Sequence, residues 1–195
     1  RKQRDTPEYI RTLDSVLEES RRMEKIIDDL LFLSRIEALE RAKLNRSVHL
    51  DEILTTVLES REAAIRKKGL VCEAATVSEV LVRGNGDLLE RLIVNVLDNA
   101  IRYTPSGGRI TYSLASSGEW VRLEICDTGI GIPEASLPLI FDRFYVVDKS
   151  RSKETGGSGL GLSIAKWIAD SHDARIEVIS QEGSGTSVRI LFRPA

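Results

Sequence analysis

Apolar residues recur at three- and four-residue spacing through the first segment of the chain. The repeat runs from Leu13 to Ile36, and Thr6 followed by Pro7 is typical of a helix start. We predict one helix of about thirty residues, roughly 45 Å long. A wide apolar face on so long a helix requires a partner, either in a bundle or on a second copy of the chain. The alternative is that the helix lies along its own domain.

Helical and extended patterns alternate in the rest of the chain. An extended segment at 48–50 precedes a helix that we expect Asp51 to cap and Gly69 to end. Two further helices are predicted at 87–103 and 159–171. Predicted strands lie at 70–75, 80–83, 109–115, 120–126, 175–180 and 187–192. This alternation favours an α/β sandwich in which a sheet packs against helices.

Composition narrows the class of protein. The 195 residues include 28 Lys and Arg against 30 Asp and Glu, a net charge of -2. Because there is no overall basic field, nucleic acid is disfavoured as the main partner. No run approaches the roughly 18 apolar residues that span a bilayer, so we expect this chain itself not to insert into a membrane. Cys72 and Cys126 lie in apolar stretches without metal-ligand spacing, which predicts buried free thiols.

The helix predicted at 87–103 carries a polar stripe. At about 100° per residue, Arg91, Asn95, Asn99 and Arg102 fall within roughly 80° of arc. Asparagine has low helix propensity, so two of them four residues apart need an explanation. They are either solvated surface residues or are retained for their side-chain oxygens.

An acidic residue and two glycines follow the strand predicted at 120–126. Asp127 comes at the strand end, and Gly129 and Gly131 allow the backbone to approach a ligand closely. The carboxylate can accept a hydrogen bond from the exocyclic amine of adenine, with Ile130 or Ile132 covering the ring. The alternative is a glycine turn capped by the acid.

A third motif leads into the last predicted helix. Residues 156–163 read Gly-Gly-Ser-Gly-Leu-Gly-Leu-Ser, so backbone amides and the helix dipole would form an anion cradle suited to phosphate. Leu162 stands where a P-loop requires lysine and where a Rossmann motif requires Gly or Ala. Both of these nucleotide-binding folds are therefore excluded.

In this order, the three motifs resemble the Bergerat-type ATP-binding fold. Sensor histidine kinases, type II topoisomerase and mismatch-repair ATPases and a heat-shock chaperone share that fold. The detail is similar to sensor histidine kinases: the N box, first Gly box, F box and second Gly box would lie at 95–104, 127–133, 141–145 and 157–162. Residues 30–37 are similar to the end of the second helix of the family's dimerisation and phosphotransfer domain.

The resemblance implies a fold and a domain division. The fold would be a two-layer α/β sandwich of a mixed, mainly antiparallel sheet against helices, with a long N-terminal helix. Residues 1–45 would be the second dimerisation helix and its linker, and residues 46–195 the catalytic ATP-binding domain.

The resemblance also implies which residues bind ATP and Mg²⁺. Asn95 would supply an oxygen to Mg²⁺, while Asn99 and Arg102 would contact the phosphates. Asp127 would bind the adenine amine. The other residues implied to bind ATP are Tyr103, Gly129, Gly131, Ile132, Gly157, Ser158, Gly159, Leu160, Gly161 and Thr186.

The F box departs from the family pattern at one position. Val146 stands where the family often has an arginine that meets the terminal phosphate. A lid is implied at 146–156, and its Lys149, Arg151 or Lys153 would replace this contact by swinging inward. The departure bears on the rate of phosphotransfer more than on ATP binding.

The histidine that the family phosphorylates has no counterpart here. His49 lies in a predicted strand, and His172 lies at a predicted helix end, where its protonated form would favour the helix dipole. Neither has the His-Glu-Leu-Arg-Thr-Pro context of the family. We therefore expect the acceptor histidine, the sensor and a membrane anchor to lie upstream, in a homodimeric parent protein whose catalytic portion is cytoplasmic.

The function implied is that of a sensor histidine kinase. The parent protein would transfer the γ-phosphoryl group of Mg-ATP to its own histidine and then to an aspartate of a response regulator. A nucleotide-responsive docking module with little turnover is one alternative, which Val146 favours. A topoisomerase- or chaperone-type ATPase is another, against which the F box and the helix end at 30–37 argue.

Overall fold

Helices pack against a five-stranded sheet in this computed structural model, which describes residues 6–36, 46–147 and 157–195. The helices are α1 Thr6–Ile36, α2 Leu50–Lys67, α3 Gly86–Tyr103 and α4 Gly161–Ser171, with a short 3₁₀ helix at Glu134–Leu139. The strands are β1 Arg46–His49, β2 Val71–Val77, β3 Leu81–Gly84, β4 Arg109–Ser117, β5 Trp120–Asp127, β6 Arg175–Gln181 and β7 Gly185–Phe192.

The large sheet has the strand order β2-β4-β5-β7-β6. The β2–β4 pair is parallel, and the other three pairs are antiparallel. The predicted two-layer sandwich with a mixed, mainly antiparallel sheet is therefore confirmed. A separate antiparallel pair, β1 and β3, lies outside this sheet.

Helix α3 positions most of the polar stripe. Asn85 caps its start, since the Asn85 side chain accepts a hydrogen bond from the Leu88 amide at 3.2 Å. One face of α3 is fully buried through Leu89, Leu92 and Ile93, and the helix contacts α2, α4 and β5. Because the apolar face is fixed against the sheet, the polar stripe must lie at the edge of the helical layer.

Helix α1 confirms the predicted long N-terminal helix. Near its C-terminal end Asp29 and Leu33 are buried against the body of the structure. Most of its apolar stripe remains exposed: Tyr9, Ile10, Leu13, Val16, Leu17, Met23, Ile27, Leu30 and Leu31. A partner for this surface stays a prediction. Among the described residues, no helix is both long and apolar enough to cross a membrane.

Some local expectations are wrong. Asp51 does not cap α2, because His49 occupies the cap position and the Asp51 carboxylate instead accepts a hydrogen bond from the Val80 amide at 3.0 Å. Helix α4 begins at Gly161, two residues later than predicted, because Gly159 has a left-handed backbone (φ 72°). The thiols are free as predicted, but Cys72 and Cys126 are half-buried.

The expectation that a protonated His172 favours the helix dipole is also wrong. His172 ends α4 as predicted, but it is buried and held by two hydrogen bonds. Its Nε2 accepts from the Asn85 amide at 3.1 Å, and its Nδ1 donates to the Ile168 carbonyl at 2.7 Å. This pairing requires the neutral ring, and burial lowers the pKa of His172.

Candidate functional site

A cleft of about 370 Å³ lies between α3, the ends of β5 and β7, the segment after β5 and the start of α4. This volume falls in the usual range of small-molecule sites, about 300–1,000 Å³. The cleft brings together most of the predicted site residues: Asn95, Asn99, Arg102, Tyr103, Asp127, Gly131, Ile132, Gly157, Ser158, Gly159, Gly161 and Thr186. Three motifs that are distant in sequence therefore converge on one concave surface.

Two predicted site residues, Gly129 and Leu160, are not among the described residues that line the cleft. Gly129 lies behind it, where a Cβ would be 2.6 Å from the Tyr103 carbonyl oxygen. Leu160 is fully buried in the apolar core, so its side chain packs rather than binds. Lys149 and Arg151, and Lys153 beside them, lie outside the described residues.

Asp127 forms the floor of one end of the cleft. It lies opposite Thr186 in the β5–β7 ladder, and its Oδ1 accepts a hydrogen bond from the Gly129 amide at 2.8 Å. Burial raises the pKa of Asp127, although hydrogen bonds from the Gly129 and Thr186 backbones partly oppose that rise. A half-buried carboxylate in a cleft that Ile130 and Ile132 also line can accept a hydrogen bond from an amine on a flat ring.

Hydrogen bonds join this end of the cleft to the β6–β7 turn. Ser180 Oγ accepts from the Ile132 amide at 2.9 Å and lies 2.8 Å from Thr186 Oγ1. The Gly183 amide donates to the Ile130 carbonyl at 2.8 Å. Ser180 was not predicted from the sequence, because its role depends on two segments about fifty residues apart. The network holds Thr186 and Ile132 in the cleft wall before any ligand arrives.

Asn95 lines the cleft where α3 faces the start of α4. It is 4% exposed, and its Nδ2 has no hydrogen-bond partner among the described residues. Its side chain faces the start of α4, where a Cβ on Gly161 would lie 3.4 Å from Asn95 Oδ1. Because an unpaired buried amide is costly, this group is suited to a ligand that supplies the missing contact.

The donor set at Asn95 fits Mg²⁺ held mainly by a ligand. No group of three or more His, Cys, Asp or Glu within the described ranges is arranged to hold a metal. Mg²⁺ prefers oxygen ligands and commonly binds through one or two protein oxygens, several waters and substrate phosphates. A single buried amide beside the helix start is therefore compatible with a magnesium–phosphate complex.

Arg102 and Tyr103 form the wall beside the second glycine motif. A Cβ on Gly157 would lie 3.2 Å from Arg102 Nη1 and 3.4 Å from the Tyr103 hydroxyl. Lys68 Nζ donates to the carbonyls of Ile101 and Arg102 at 2.6 Å each, which satisfies the end of α3. Burial and the nearby Arg102 lower the pKa of Lys68. The end of α3 that carries Arg102 is thus well capped.

The F-box segment packs directly on the second glycine motif. The Phe144 amide donates to the Gly159 carbonyl at 3.0 Å, and Phe144 itself has a positive φ of 64°. A Cβ on Gly159 would lie 2.6 Å from the Phe144 carbonyl carbon, so only glycine fits this approach. Val146 lines the cleft where the family often has arginine.

Arg91 does not join the cleft, although it shares the α3 stripe. Its Nη2 lies 2.7 Å from Asp29 Oδ1 on α1, and its guanidinium stacks 3.7 Å above the Phe32 ring. The stripe therefore serves two purposes: Asn95, Asn99 and Arg102 face the cleft, and Arg91 binds α1. Conversely, Lys25 of α1 lines the cleft and was missed, because only the apolar pattern of α1 was considered.

The chain is similar to known proteins over most of its length. A family described as "Histidine kinase-, DNA gyrase B-, and HSP90-like ATPase" matches residues 84–195. The phosphate regulon sensor protein PhoR of Pseudomonas aeruginosa is 34% identical over 191 residues, covering 97% of this chain and 43% of PhoR. Sensor-like histidine kinase SenX3 of Mycobacterium tuberculosis is 33% identical over 183 residues, covering 94% of this chain and 45% of SenX3.

A solved structure agrees with these sequence matches. The mycobacterial sensor histidine kinase MprB superposes with a TM-score of 0.66 at 31% identity, covering 77% of this chain and 99% of that chain. This chain spans less than half the length of the curated relatives described above. The family match, the relatives and the cleft agree: the chain belongs to the histidine kinase-, DNA gyrase B- and HSP90-like ATPases and, among them, to the sensor histidine kinases.

Proposed function

We propose that the cleft binds Mg-ATP and presents its γ-phosphoryl group to a histidine outside this chain. The phosphorylated histidine would then phosphorylate an aspartate of a response regulator. The observation that carries this proposal is the placement in one largely apolar cleft of half-buried Asp127 and of Asn95, whose Nδ2 has no hydrogen-bond partner among the described residues. One group suits a purine amine, and the other suits a metal–phosphate complex.

The adenine would lie at the Asp127 end. The Asp127 carboxylate would accept a hydrogen bond from the exocyclic amine, and Ile130 and Ile132 would cover the ring. Thr186 Oγ1, held by Ser180 at 2.8 Å, would share a water with Asp127. Tyr103 would flank the ring from α3. These contacts would orient the nucleotide without taking part in the chemistry.

The phosphates would lie between α3 and the start of α4. Asn95 would hold Mg²⁺, Asn99 and Arg102 would contact phosphate oxygens, and the amides around Gly159 would complete the cradle. When bound, Mg²⁺ would neutralise charge on the phosphates during transfer. The chain's own contribution is positioning and electrostatic stabilisation.

The acceptor is proposed to lie outside this chain, as part of the division into residues 1–45 and 46–195. The side chain of His49 is half exposed at the end of a short strand, and His172 is buried and doubly hydrogen-bonded. Neither lies on an exposed helix that could approach a γ-phosphate. We place this portion in the cytoplasm of a homodimeric protein anchored in the inner membrane, with the exposed stripe of α1 pairing in the dimer.

A docking module that holds ATP with little turnover is the second candidate. Val146 favours it, because it gives the cleft wall no positive charge at the F-box position. The two candidates predict different products from the same starting mixture.

The test is calorimetric titration of the chain with ATP and Mg²⁺, followed by addition of γ-labelled ATP and a polypeptide that carries the acceptor helix of a relative. Binding and label on a histidine are expected. Binding without label would favour the docking module, and release of free phosphate alone would favour an ATPase. An absence of binding would overturn the proposal.

A further inference from the structure

Helix α1 contributes a positive charge to the cleft. Lys25 lines it beside Asn95, Asn99 and Arg102, and every other described lining residue comes from residues 95–188. In the described part of that lining, Lys25 and Arg102 are the basic side chains. We propose that Lys25 contacts the terminal phosphate of bound ATP and so supplies the cation that Val146 does not. This inference rests on the proposed function, because it requires a triphosphate in the cleft.

Lys25 is held at the cleft by the residues that follow it on α1. Asp29 lies four residues further on, on the same face of the helix, and its Oδ1 pairs with Arg91 at 2.7 Å. Phe32 lies beneath the Arg91 guanidinium, and Leu33 is buried in the core. These contacts fix the docked end of α1 one turn away from Lys25, so its long side chain reaches the cleft from a defined position.

Lys25 shares its ion-pair partner, Asp98, with Arg61. Lys25 Nζ lies 3.2 Å from Asp98 Oδ2, and Arg61 Nε lies 2.8 Å from Asp98 Oδ1. If Lys25 turned to a phosphate, Asp98 would still be paired with Arg61. The Lys25 side chain is 44% exposed, and ion pairs so exposed contribute little to stability. The exchange therefore costs little.

Charge balance favours this exchange when a third phosphate is present. The described lining also carries Asp98, Asp127 and Glu182, so two basic side chains face three acidic ones before any ligand binds. A triphosphate adds negative charge, and apart from Lys25 the described lining offers one basic side chain, Arg102, to meet it. Lys25 would then strengthen the binding of ATP more than that of ADP. Docking of α1 would be coupled to the presence of the γ-phosphate.

The experiment compares the affinities of Mg-ATP and Mg-ADP for the chain and its variants by calorimetry. Lys25→Ala is expected to lower ATP affinity about five- to tenfold and to leave ADP affinity within about twofold, as for a partly exposed charged hydrogen bond. Arg21→Ala is the matched control, since Arg21 is exposed on the same helix and is not a lining residue. It should leave both affinities unchanged.

Asp98→Asn separates a phosphate contact from a docking role. If Lys25 binds the phosphate, this variant frees it and removes a negative charge, so ATP affinity should stay the same or rise. If Lys25 acts only by holding α1 through Asp98, the variant should lower ATP affinity as Lys25→Ala does, which would overturn the inference.

The remaining outcomes are distinct. If Lys25→Ala binds ATP as tightly as the unaltered chain does, and ADP likewise, the role of Lys25 is overturned while the proposed function is left intact. An unaltered chain that binds neither nucleotide would overturn the proposed function, and this inference with it.

Discussion

The Asp127 carboxylate accepts hydrogen bonds from the backbones of Gly129 and Thr186, its neighbour across the β5–β7 ladder. Burial nevertheless raises the pKa of Asp127, so ionisation of this carboxyl is less favourable in the folded state than in the unfolded chain. Such a group lowers the free energy of unfolding as pH rises above its ordinary pKa of 3.8, because the native state then binds more protons than the unfolded chain. A ligand that donates to this carboxylate would offset that cost.

Asp127→Asn is therefore expected to separate binding from stability. The change removes the negative charge and replaces one carboxylate oxygen with an amide donor while keeping the shape, so nucleotide affinity should fall about 10- to 100-fold, and the preference for adenine over guanine should be lost. The free energy of unfolding at pH 7 should stay the same or rise. Calorimetry and urea unfolding measure the two quantities. Unchanged affinity would show that Asp127 does not bind the base.

His172 predicts a pH dependence with the opposite sign. Burial lowers its pKa below 6.5, although the Ile168 carbonyl and the charge of Asp173 oppose the shift. The stability contributed by the neutral ring is thus fully present above pH 6.5 and is lost as pH falls through the lowered pKa. Urea unfolding at pH 5 and pH 7.5 should show this loss. In His172→Gln the dependence should be smaller, and an equal dependence would contradict the assignment.

Gly131 and Gly118 form a matched pair of positive-φ glycines. A Cβ on Gly131 would overlap the Gln181 carbonyl oxygen, whereas nothing lies within 4 Å of a Cβ on Gly118. Gly118→Ala should cost only the conformational strain, about 1 kcal/mol of unfolding free energy. Gly131→Ala should cost about 3 kcal/mol or more and weaken nucleotide binding. Similar losses for both variants in chemical denaturation would show that the contact with Gln181 is unimportant.

Arg91→Ala tests the docking of α1. It leaves the buried Asp29 carboxylate without its partner and uncovers Phe32. The free energy needed to detach α1 from the rest of the structure should therefore fall by about 2 kcal/mol. Hydrogen exchange along residues 24–34 should rise, while exchange in β5 and β7 should not. Adding Asp29→Asn should restore part of the protection, since the unpaired charge is then removed. If the hydrogen-exchange protection does not recover, the Arg91–Asp29 ion pair is not what holds α1 in place.

The order of helices and strands could be predicted because local patterns determine it. From α2 onward, predicted and observed boundaries agree within two residues, as at β5 and α3. The 3₁₀ helix at Glu134–Leu139 was missed, since a single short turn containing Pro138 has no periodicity to detect. The cap of α2 was assigned to the wrong residue, because the Asp51 carboxylate accepts a hydrogen bond from the Val80 amide, which belongs to another segment.

Contacts between distant segments could not be predicted from the sequence. Helical geometry placed Arg91 with Asn95 on one stripe, but the partner of Arg91 lies on α1, far away in the chain. The place of Lys25 in the cleft depends on how α1 packs, which periodicity does not encode. Ser180 is a similar case, since its contact with Ile132 arises only when β6 and the segment after β5 come together.

The hydrogen bonds that join Ile130 and Ile132 to the β6–β7 turn have a consequence for binding kinetics. The part of the cleft where adenine is proposed to bind is already assembled in the structure, so a nucleotide would dock its base without waiting for a rearrangement there. ADP and ATP should therefore associate with similar rate constants. Their affinities should differ mainly through residence time, which the phosphate end of the cleft would set.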